Sequence, residues 1–277
     1  MYLAHFGLHE LPFGITPDTQ YVCSTRAHQE AMNTLLLTLQ SGEGFVKITG
    51  EVGVGKTLLC RRFLHTLGSS FIGAYVPNPQ MDAKALLNLV AEELEVGEGQ
   101  GEAAHVIRRI NQRLLQLAGE DRSVVLCIDE AQTMPMLTLE SLRLLSNLET
   151  EKRKLIHIVL FGQPELDEML AQPRVRQLRQ RIAFSYRMPN LARDELDSYL
   201  AHRLDVAGHR GEPLFTPRAR QALHQGSGGA PRLVNILAHK ALLAAFGQGR
   251  YRVTTKHVRQ AVADTDGASA ISWWLPA

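Results

Sequence analysis

Apolar runs and stretches of helical periodicity alternate along the first two thirds of the chain. Five runs have the length and the β-branched or aromatic content of buried strands, namely residues 45–49, 71–76, 124–128, 155–161 and 182–188. Apolar residues at helical spacing lie before and between them, at residues 32–39, 57–67, 83–94, 103–117, 139–148 and 165–170. Strands joined by helices run parallel and have both faces covered, so this alternation predicts an α/β domain with a five-stranded parallel sheet.

The pattern changes near residue 190, where four helical stretches follow with no strand-like run among them: 193–206, 217–225, 231–246 and 255–263. Two of these stretches begin at favourable N-caps, since Thr216 precedes Pro217 and Thr254 opens the last stretch. We therefore predict two domains. Residues 1–189 form the α/β domain together with an N-terminal extension, and residues 190–277 form a helical domain with a C-terminal tail.

A complete GxxxxGK[ST] motif at residues 50–57 directly follows the first predicted strand and opens the next helix. Such a loop turns backbone N–H groups toward phosphate oxygens, and the helix N-terminus adds a positive dipole. Lys56 would add a full positive charge, and the hydroxyl of Thr57 would bind Mg²⁺. A tight strand–turn–helix connection with no ligand is the alternative. The predicted nucleotide-binding residues are Gly50, Glu51, Val52, Gly53, Val54, Gly55, Lys56, Thr57 and Leu58.

Polar side chains also follow the third and fourth predicted strands. Asp129 would act on Mg²⁺ and Glu130 would polarise the attacking water, a pairing that favours hydrolysis over simple nucleotide binding. A solvated turn after a buried strand is the alternative. Gln163 shares one edge of a parallel sheet with the P-loop, where it would bridge the γ-phosphate and the water. Alternatively, its amide caps the helix at residues 165–170.

Arginines mark two further candidate positions. Four of them lie before the fifth strand and one lies on it: Arg174, Arg176, Arg179, Arg181 and Arg187. They form either a solvated basic face or a segment that supplies an arginine finger to a neighbouring active site. Arg232 opens a helix, where a positive charge opposes the helix dipole, and a bound phosphate would explain it. The alternative is a surface arginine with no partner.

Composition and charge narrow the class of protein. The chain has 277 residues, 45% of them hydrophobic, and a net charge of +2, which argues against constitutive coating of nucleic acid. Cys23, Cys60 and Cys127 lie far apart and match no metal-ligand spacing, so we expect a reducing compartment and no structural metal. The N-terminus lacks a secretory signal, and no apolar run approaches the ~20 residues that cross a bilayer. We therefore expect a cytoplasmic protein, either freely dissolved or peripheral to a membrane.

The set and order of these motifs resemble those of the AAA+ ATPases. The likeness includes the P-loop, the Asp-Glu pair, Gln163, the basic segment and Gly-Ala-Pro-Arg in a helical region. More narrowly, the chain is similar to the ExeA/GspA secretion ATPase family, and within it to the branch that serves the MSHA-type pilus. That likeness covers nearly the whole chain and rests on residues 1–8, 12–13, 41–45, 50–53, 129–132, 144–149 and 162–166.

The resemblance implies an AAA+ P-loop NTPase with sheet order 5-1-4-3-2, a nucleotide held between the sheet and a helical lid, and ATP-dependent homo-oligomerisation. The implied ligands are ATP and Mg²⁺, and the implied partners are inner-membrane proteins that assemble a type IV (MSHA-like) pilus or a type II secretion apparatus. The roles carried over by position are phosphate binding by Lys56, metal binding by Thr57 and Asp129, the Walker B glutamate Glu130, sensor 1 Gln163, the arginine finger Arg181 and sensor 2 Arg232. For the finger, Arg181 is favoured over Arg179, and the sequence leaves that choice open.

Family members continue into a transmembrane helix and a periplasmic peptidoglycan-binding region, whereas this sequence stops shortly after Trp273 and Trp274. Those tryptophans form a docking tail or pack back on their own domain. Two other functions stay open on sequence alone. One is a DNA-associated AAA+ regulator of the transposition-ATPase type, in which residues 174–181 meet DNA phosphates. The other is a small-molecule P-loop kinase, which fits poorly because Glu130 suits water activation.

Overall fold

The computed structural model describes residues 2–15, 19–21, 23, 25–96, 103–150 and 153–271. The chain forms two compact units. The α/β unit contains Ala27–Gly50 and Lys56–Met188, and the helical unit contains Met1–Arg26, Glu51–Gly55 and Pro189–Ala277.

Five parallel strands make up the single sheet of the α/β unit, and they lie in the order β2-β3-β4-β1-β5. This order confirms the predicted arrangement 5-1-4-3-2. The strands are β1 (Phe45–Gly50), β2 (Phe71–Val76), β3 (Ser123–Ile128), β4 (Ile156–Gly162) and β5 (Phe184–Met188).

Helices alternate with the strands where the periodicity predicted them, and one short helix at Arg176–Arg179 was not predicted. They are α2 (Arg26–Gln40), α3 (Lys56–Thr66), α4 (Ala83–Glu93), α5 (Ala103–Gly119), α6 (Met136–Ser146), α7 (Glu165–Ala171) and α8 (Arg176–Arg179), after a short α1 (Leu3–Phe6) that belongs to the helical unit. Single turns of 3₁₀ helix occur at Thr19–Tyr21, Ala131–Thr133 and Pro173–Val175.

Both faces of the sheet are covered, which explains why its central strands β3, β4 and β1 are mostly apolar. On one face, Leu126 and Ile158 pack with apolar side chains of α4, α5 and α6 in a large buried cluster. Helix α3 contacts β1 and β4 and buries Cys60 and Phe63 completely. Strands buried on both sides are continuous hydrophobic runs, as in other parallel sheets.

Several element boundaries differ from the prediction, among them the start of α2 at Arg26 rather than near residue 32. Helix α6 begins at Met136 rather than near residue 139, because Pro135, which has a fixed φ, occupies its N-cap position. Strand β5 begins at Phe184 rather than at residue 182, since its pairing with β1 starts where Phe184 lies opposite Val46. None of these shifts moves a candidate site residue to another element.

The helical unit contains α9 (Arg193–Val206), α10 (Pro217–Ser227), α11 (Pro231–Gly247) and α12 (Thr255–Ala263). Thr216 caps α10 as predicted, because its hydroxyl accepts a hydrogen bond from the backbone N–H of Ala219. At α12 the cap is completed by His257, whose Nδ1 accepts the N–H of Thr254 at 3.1 Å. Apolar residues from all four helices form one buried cluster.

The N-terminal segment groups with the helical unit, which differs from the expected division of the chain at residue 189. Tyr2, Phe6 and Phe13 are buried in the apolar cluster of that unit. The nearly buried Arg203 of α9 holds the segment further, because its Nε donates to the carbonyl of Pro12 at 2.6 Å. The segment therefore contributes side chains to the helical core.

The three cysteines are free thiols. None of the helices in the described part of the chain combines the length and the apolar character needed to span a bilayer. The glycine-rich segment at 97–101 and the tail at Trp273 and Trp274, both singled out in the sequence, lie outside the described residues.

Candidate functional site

The carboxyl ends of three neighbouring strands meet at one edge of the sheet. Thr49 of β1 pairs with Gly162 of β4, and β3 pairs with β4 on its other side in the same direction. Asp129 follows β3 directly, and Gln163 follows β4 directly. In a parallel sheet this edge is where ligands bind, and the sheet order brings both residues beside the strand that leads into the P-loop.

Lys56 lies at the first position of α3 and is only 5% exposed. Its ammonium donates a hydrogen bond to the carbonyl oxygen of Gly50 at 2.7 Å, across the base of the loop. A buried ammonium is costly unless anionic or polar groups surround it. Burial raises the pKa of Asp129 at the neighbouring strand end, and the charge of Lys56 offsets part of that rise.

The tip of the P-loop requires glycine for two separate reasons. Gly53 and Gly55 have φ values of 86° and 94°, in the left-handed region that side chains disfavour. Within the helical unit, a Cβ added to Gly53 would overlap the Cβ of Arg232 and lie 3.0 Å from its backbone nitrogen. The loop therefore brings backbone close to the first turn of α11, and its positive-φ glycines make the kind of N–H concavity that binds phosphate.

Thr57 and Asp129 form a direct link between α3 and the end of β3. The Thr57 hydroxyl donates to Oδ2 of Asp129 at 2.6 Å, and the Tyr75 hydroxyl donates to the same oxygen at 3.4 Å. Asp129 is 2% exposed. Burial raises the pKa of Asp129, while the hydrogen bonds from Thr57 and from the backbone of Glu130 act in the opposite direction. Burial and the charge of Asp129 raise the pKa of Tyr75 to about 12.

The Thr57–Asp129 pair fits a Mg²⁺ ion. A hydroxyl and a carboxylate are the hard oxygen donors that Mg²⁺ uses alongside waters and phosphate oxygens. Because burial disfavours the charged form of Asp129, a divalent cation at this pair would stabilise the carboxylate. The donor chemistry and the charge therefore agree with the predicted metal role of both residues.

Glu130 has an unusual backbone conformation. Its φ and ψ are 51° and 37°, which is the left-handed region and is strained for a residue with a side chain. Two hydrogen bonds hold it there, since its N–H donates to Oδ1 of Asp129 at 2.9 Å and its carbonyl accepts the N–H of Thr133 at 2.8 Å. Strain of this kind persists where the surrounding structure fixes the residue, and it marks a position with a geometric task.

Gln163 contacts Glu130 directly. Its side-chain Nε2 donates to Oε2 of Glu130 at 3.1 Å, and its backbone N–H donates to Oε1 of Gln132 at 3.0 Å. Helix α7 begins after Pro164 with no side-chain cap. The amide of Gln163 thus lies with the candidate hydrolytic group, as the bridging interpretation requires, and not on the helix end.

The arginines of the basic segment before β5 differ in exposure and in the contacts of their side chains. Arg174, Arg176 and Arg179 are exposed, and their side chains have no hydrogen bond or ion pair with any described residue. Arg181 is half-buried, and its Nη1 donates to the carbonyl of Ser146 at 3.4 Å. Arg187 is exposed on β5. Both candidate fingers lie at the surface of the α/β unit, and Arg179 has the greater freedom.

Arg232 lies in the first turn of α11, where the N-cap Ala230 offers no side-chain acceptor. The arginine is exposed, and its side chain makes no hydrogen bond or ion pair with the described residues. The turn before it is closely packed, since Leu191 donates its N–H to Gly229 at 2.9 Å and a Cβ on Gly229 would overlap the carbonyl of Leu191. A cation fixed beside the P-loop tip suits an anionic ligand.

Gln132 and Tyr75 are part of this site, and the sequence assigned neither of them a role. Gln132 donates from Nε2 to Oε2 of Glu130 at 2.6 Å. Its place two residues after Glu130 was visible in the sequence, but nothing in the spacing revealed the direction of its side chain. Tyr75 lies on β2, and only the pairing of β2 with β3 brings it to Asp129.

Comparison with known proteins identifies a matching family model and a curated relative that matches over nearly the whole chain. The model described as an AAA domain matches residues 39–170. General secretion pathway protein A of Aeromonas hydrophila is 41% identical over 276 residues, which cover 99% of this chain and 50% of that protein. The chain thus spans about half the length of this relative.

Solved structures share the fold at low identity. ORC2 of Aeropyrum pernix, solved in ADPNP–ADP complexes, superposes with a TM-score of 0.62 at 20% identity over 94% of this chain and 72% of its own. Cdc6p of Pyrobaculum aerophilum gives 0.63 at 17% identity, covering 90% of this chain and 71% of its own. RuvB of Thermotoga maritima gives 0.57 at 16% identity, covering 89% and 73%. Likeness at these identities concerns the fold alone.

Proposed function

We propose that this chain, an AAA+ P-loop NTPase by fold and a relative of general secretion pathway protein A, is a Mg²⁺-dependent ATPase. The reaction converts ATP and water to ADP and phosphate. One observation carries the proposal: the Glu130 carboxylate is held by Gln163 next to the buried Thr57–Asp129 pair. A P-loop protein that only binds nucleotide has no need for a second, oriented carboxylate beside the metal ligands.

Each residue has a defined task in this proposal. The N–H groups of the P-loop and the ammonium of Lys56 bind the phosphates, and Thr57 with Asp129 would hold Mg²⁺. The ion would neutralise the charge that develops on the transferred phosphoryl group. Glu130 accepts a proton from the attacking water, so that the oxygen attacks the γ-phosphorus and ADP leaves. Gln163 would sense the γ-phosphate beside Glu130, and Arg232 takes the sensor 2 role that the sequence motifs assign to it.

Hydrolysis would control assembly of subunits. ATP favours an interface in which Arg181, or alternatively Arg179, reaches the nucleotide of a neighbouring subunit, and hydrolysis releases that interface. We place the protein in the cytoplasm, peripheral to the inner membrane, where it supports assembly of a type II secretion apparatus or an MSHA-like type IV pilus. The similarity to general secretion pathway protein A supports the secretion system. The pilus, and within it an MshM-like role, rests on the sequence motifs.

Phosphate release by the purified full chain tests the chemistry. We expect hydrolysis that requires Mg²⁺ and no added acceptor, loss of ATP binding in Lys56→Ala, and retained binding with loss of hydrolysis in Glu130→Gln. If phosphate appears only when an acceptor is phosphorylated, the protein is a kinase. If the unaltered chain binds ATP and never hydrolyses it, the ATPase proposal is wrong.

Recovery of the Glu130→Gln variant from crosslinked native cells tests the biological role, because a variant that keeps ATP should retain its partners. Enrichment of inner-membrane secretion or pilus components without DNA supports the proposal. Recovery of DNA without those components identifies a DNA-associated regulator. A strain that carries Lys56→Ala and still builds both structures normally contradicts the assembly role.

A further inference from the structure

Both halves of the Gln132 amide are engaged by candidate catalytic residues. Its Nε2 donates to Oε2 of Glu130 at 2.6 Å, and its Oε1 accepts the backbone N–H of Gln163 at 3.0 Å. This orientation of the amide is chemically determined. A carboxylate oxygen only accepts and a backbone N–H only donates, so rotating the amide by 180° would set oxygen against oxygen and nitrogen against nitrogen.

The backbone on either side of Gln132 is fixed by hydrogen bonds that do not involve the Gln132 side chain. Thr133 donates both its N–H and its hydroxyl to the carbonyl of Glu130, at 2.8 and 2.9 Å. These bonds close the 3₁₀ turn Ala131–Thr133 and maintain the left-handed conformation of Glu130. Gly162 leaves the room that the amide needs, because a Cβ there would lie 3.2 Å from Oε1 of Gln132. The amide therefore has little freedom to turn away.

The two amide groups bond to the same oxygen of the carboxylate. Gln132 and Gln163 both donate to Oε2 of Glu130, and no described residue bonds to its Oε1. Two neutral donors on one oxygen fix the plane of the carboxylate without cancelling its charge. The other oxygen stays available to accept the proton of a water molecule, which is the task of a general base.

We propose that Gln132 is a positioning residue for hydrolysis, which aims Oε1 of Glu130 at the attacking water and couples Glu130 to the end of β4. This inference rests on the proposed ATPase activity. The coupling follows from the double contact, since a shift of Gln163 toward a γ-phosphate oxygen moves the N–H that holds the Gln132 amide. When the Gln163 side chain leaves Glu130, Gln132 is the donor that keeps the carboxylate in place.

The test compares two substitutions of Gln132 in the full chain. Gln132→Met keeps the length of the side chain and removes both hydrogen bonds, and Gln132→Ala removes the side chain. Both variants should lower the single-turnover rate of hydrolysis at saturating ATP on the order of 10- to 100-fold, the scale expected when a reacting group is misplaced by about 1 Å. The dissociation constant for ATP should stay within about twofold of that of the unaltered chain, because Gln132 touches no residue of the P-loop among the described contacts.

The matched control is Gln112→Ala, on the exposed side of α5, which should hydrolyse ATP at the normal rate.

A second comparison separates positioning from packing. In the Glu130→Gln background, Gln132→Met should cause no further loss of the residual single-turnover rate, because the carboxylate that it aims is already absent. A rate for Gln132→Met equal to that of the unaltered chain would overturn the inference, and so would an equal loss in the Glu130→Gln background. A parallel loss of ATP affinity would identify a packing role and overturn it as well. If Gln132→Ala does not fold, Gln132→Met alone decides. If the unaltered chain does not hydrolyse ATP, the proposed ATPase function is wrong, and the inference that rests on it is wrong as well.

Discussion

The hydroxyl of Thr57 donates a 2.6 Å hydrogen bond to Oδ2 of Asp129, and this bond joins the first turn of α3 to the end of β3. The two residues are 72 positions apart in the chain. Their contact brings the two proposed metal ligands together and ties the helix that carries Lys56 to the strand that precedes Glu130. Several expectations about the site depend on it.

Thr57→Ala should raise the Mg²⁺ concentration required for half-maximal hydrolysis by on the order of tenfold or more, because a hydroxyl ligand is lost. Thr57→Ser keeps that hydroxyl and should remain close to the unaltered chain. A Mg²⁺ titration of phosphate release by the three proteins checks this expectation. Equal requirements in the alanine and serine variants would show that the hydroxyl is no ligand.

Asp129→Asn should abolish hydrolysis without destabilising the fold at pH 7. Burial raises the pKa of Asp129, so the folded state binds its proton more readily than the unfolded state does. The ionised carboxylate is therefore unfavourable to folding at neutral pH, and this effect is relieved as the pH falls through the raised pKa. Urea unfolding should give an equal or higher midpoint for Asp129→Asn at pH 7, with a difference that shrinks as the pH falls through the raised pKa of Asp129. A clearly lower midpoint at pH 7 would mean that the charge stabilises the fold.

Gly53→Ala should eliminate ATP binding, whereas Gly42→Ala should not. Both glycines have positive φ, at 86° and 70°, so each substitution should lower the free energy of unfolding by about 1–2 kcal/mol through backbone strain. Only the Cβ at Gly53 meets a neighbour, Arg232, while nothing lies within 4 Å at Gly42. Binding of a fluorescent ATP analogue, together with thermal melts, separates the two effects. Normal binding by Gly53→Ala would mean that the loop tolerates the added carbon.

Arg181→Ala should reduce turnover on the order of 10³-fold and leave ATP binding intact if Arg181 is the finger. Arg179→Ala is the direct comparison, because Arg179 is exposed and Arg181 contacts the carbonyl of Ser146. Loss of turnover in the second variant and not in the first would transfer the role to Arg179.

Mixing subunits shows whether the arginine acts across an interface. Arg181→Ala and Glu130→Gln proteins are each expected to be inactive alone. In a mixed oligomer, a site with an intact Glu130 meets a neighbour with an intact Arg181, so mixing should restore part of the activity. No recovery on mixing would exclude action in trans.

His157 should make stability depend on pH. It is 4% exposed in β4, its Nδ1–H donates to the carbonyl of Glu43 at 2.7 Å, and burial lowers its pKa. The unfolded chain therefore binds the proton more readily below about pH 6.5, so stability is level above that pH and declines below it. The decline due to this group is at most about 1.4 kcal/mol per pH unit.

His157→Asn preserves a donor near the Glu43 carbonyl and should reduce this decline, as measured by chemical unfolding between pH 7 and 5. Burial also lowers the pKa of His239 and His257, so part of the slope should remain. His105→Asn, at an exposed position of α5, should leave the slope unchanged. A slope that is identical in His157→Asn would assign the pH dependence to other groups.

The periodicity of the sequence determined the fold class, because a parallel sheet buries both faces and its strands appear as mostly apolar runs between helical stretches. The five strands and the long helices lie where the pattern predicted them, and the AAA+ fold indicated by the motifs is confirmed. The P-loop could also be predicted from local sequence, since glycines, lysine and threonine at fixed spacing follow one strand and open one helix. Local patterns of this kind suffice wherever backbone geometry and side-chain chemistry come from the same short segment.

Contacts between distant segments were decided by tertiary structure alone. The N-terminal segment joins the helical unit because Tyr2, Phe6 and Phe13 are buried in its core, and no local signal distinguishes that from packing on the sheet. In the same way, the sequence shows Gln132 only as a polar residue that follows a strand. Its contact with Gln163 depends on the pairing of β3 with β4. Sequence spacing fixes which residues share an element, whereas the direction of each side chain depends on what the neighbouring elements place around it.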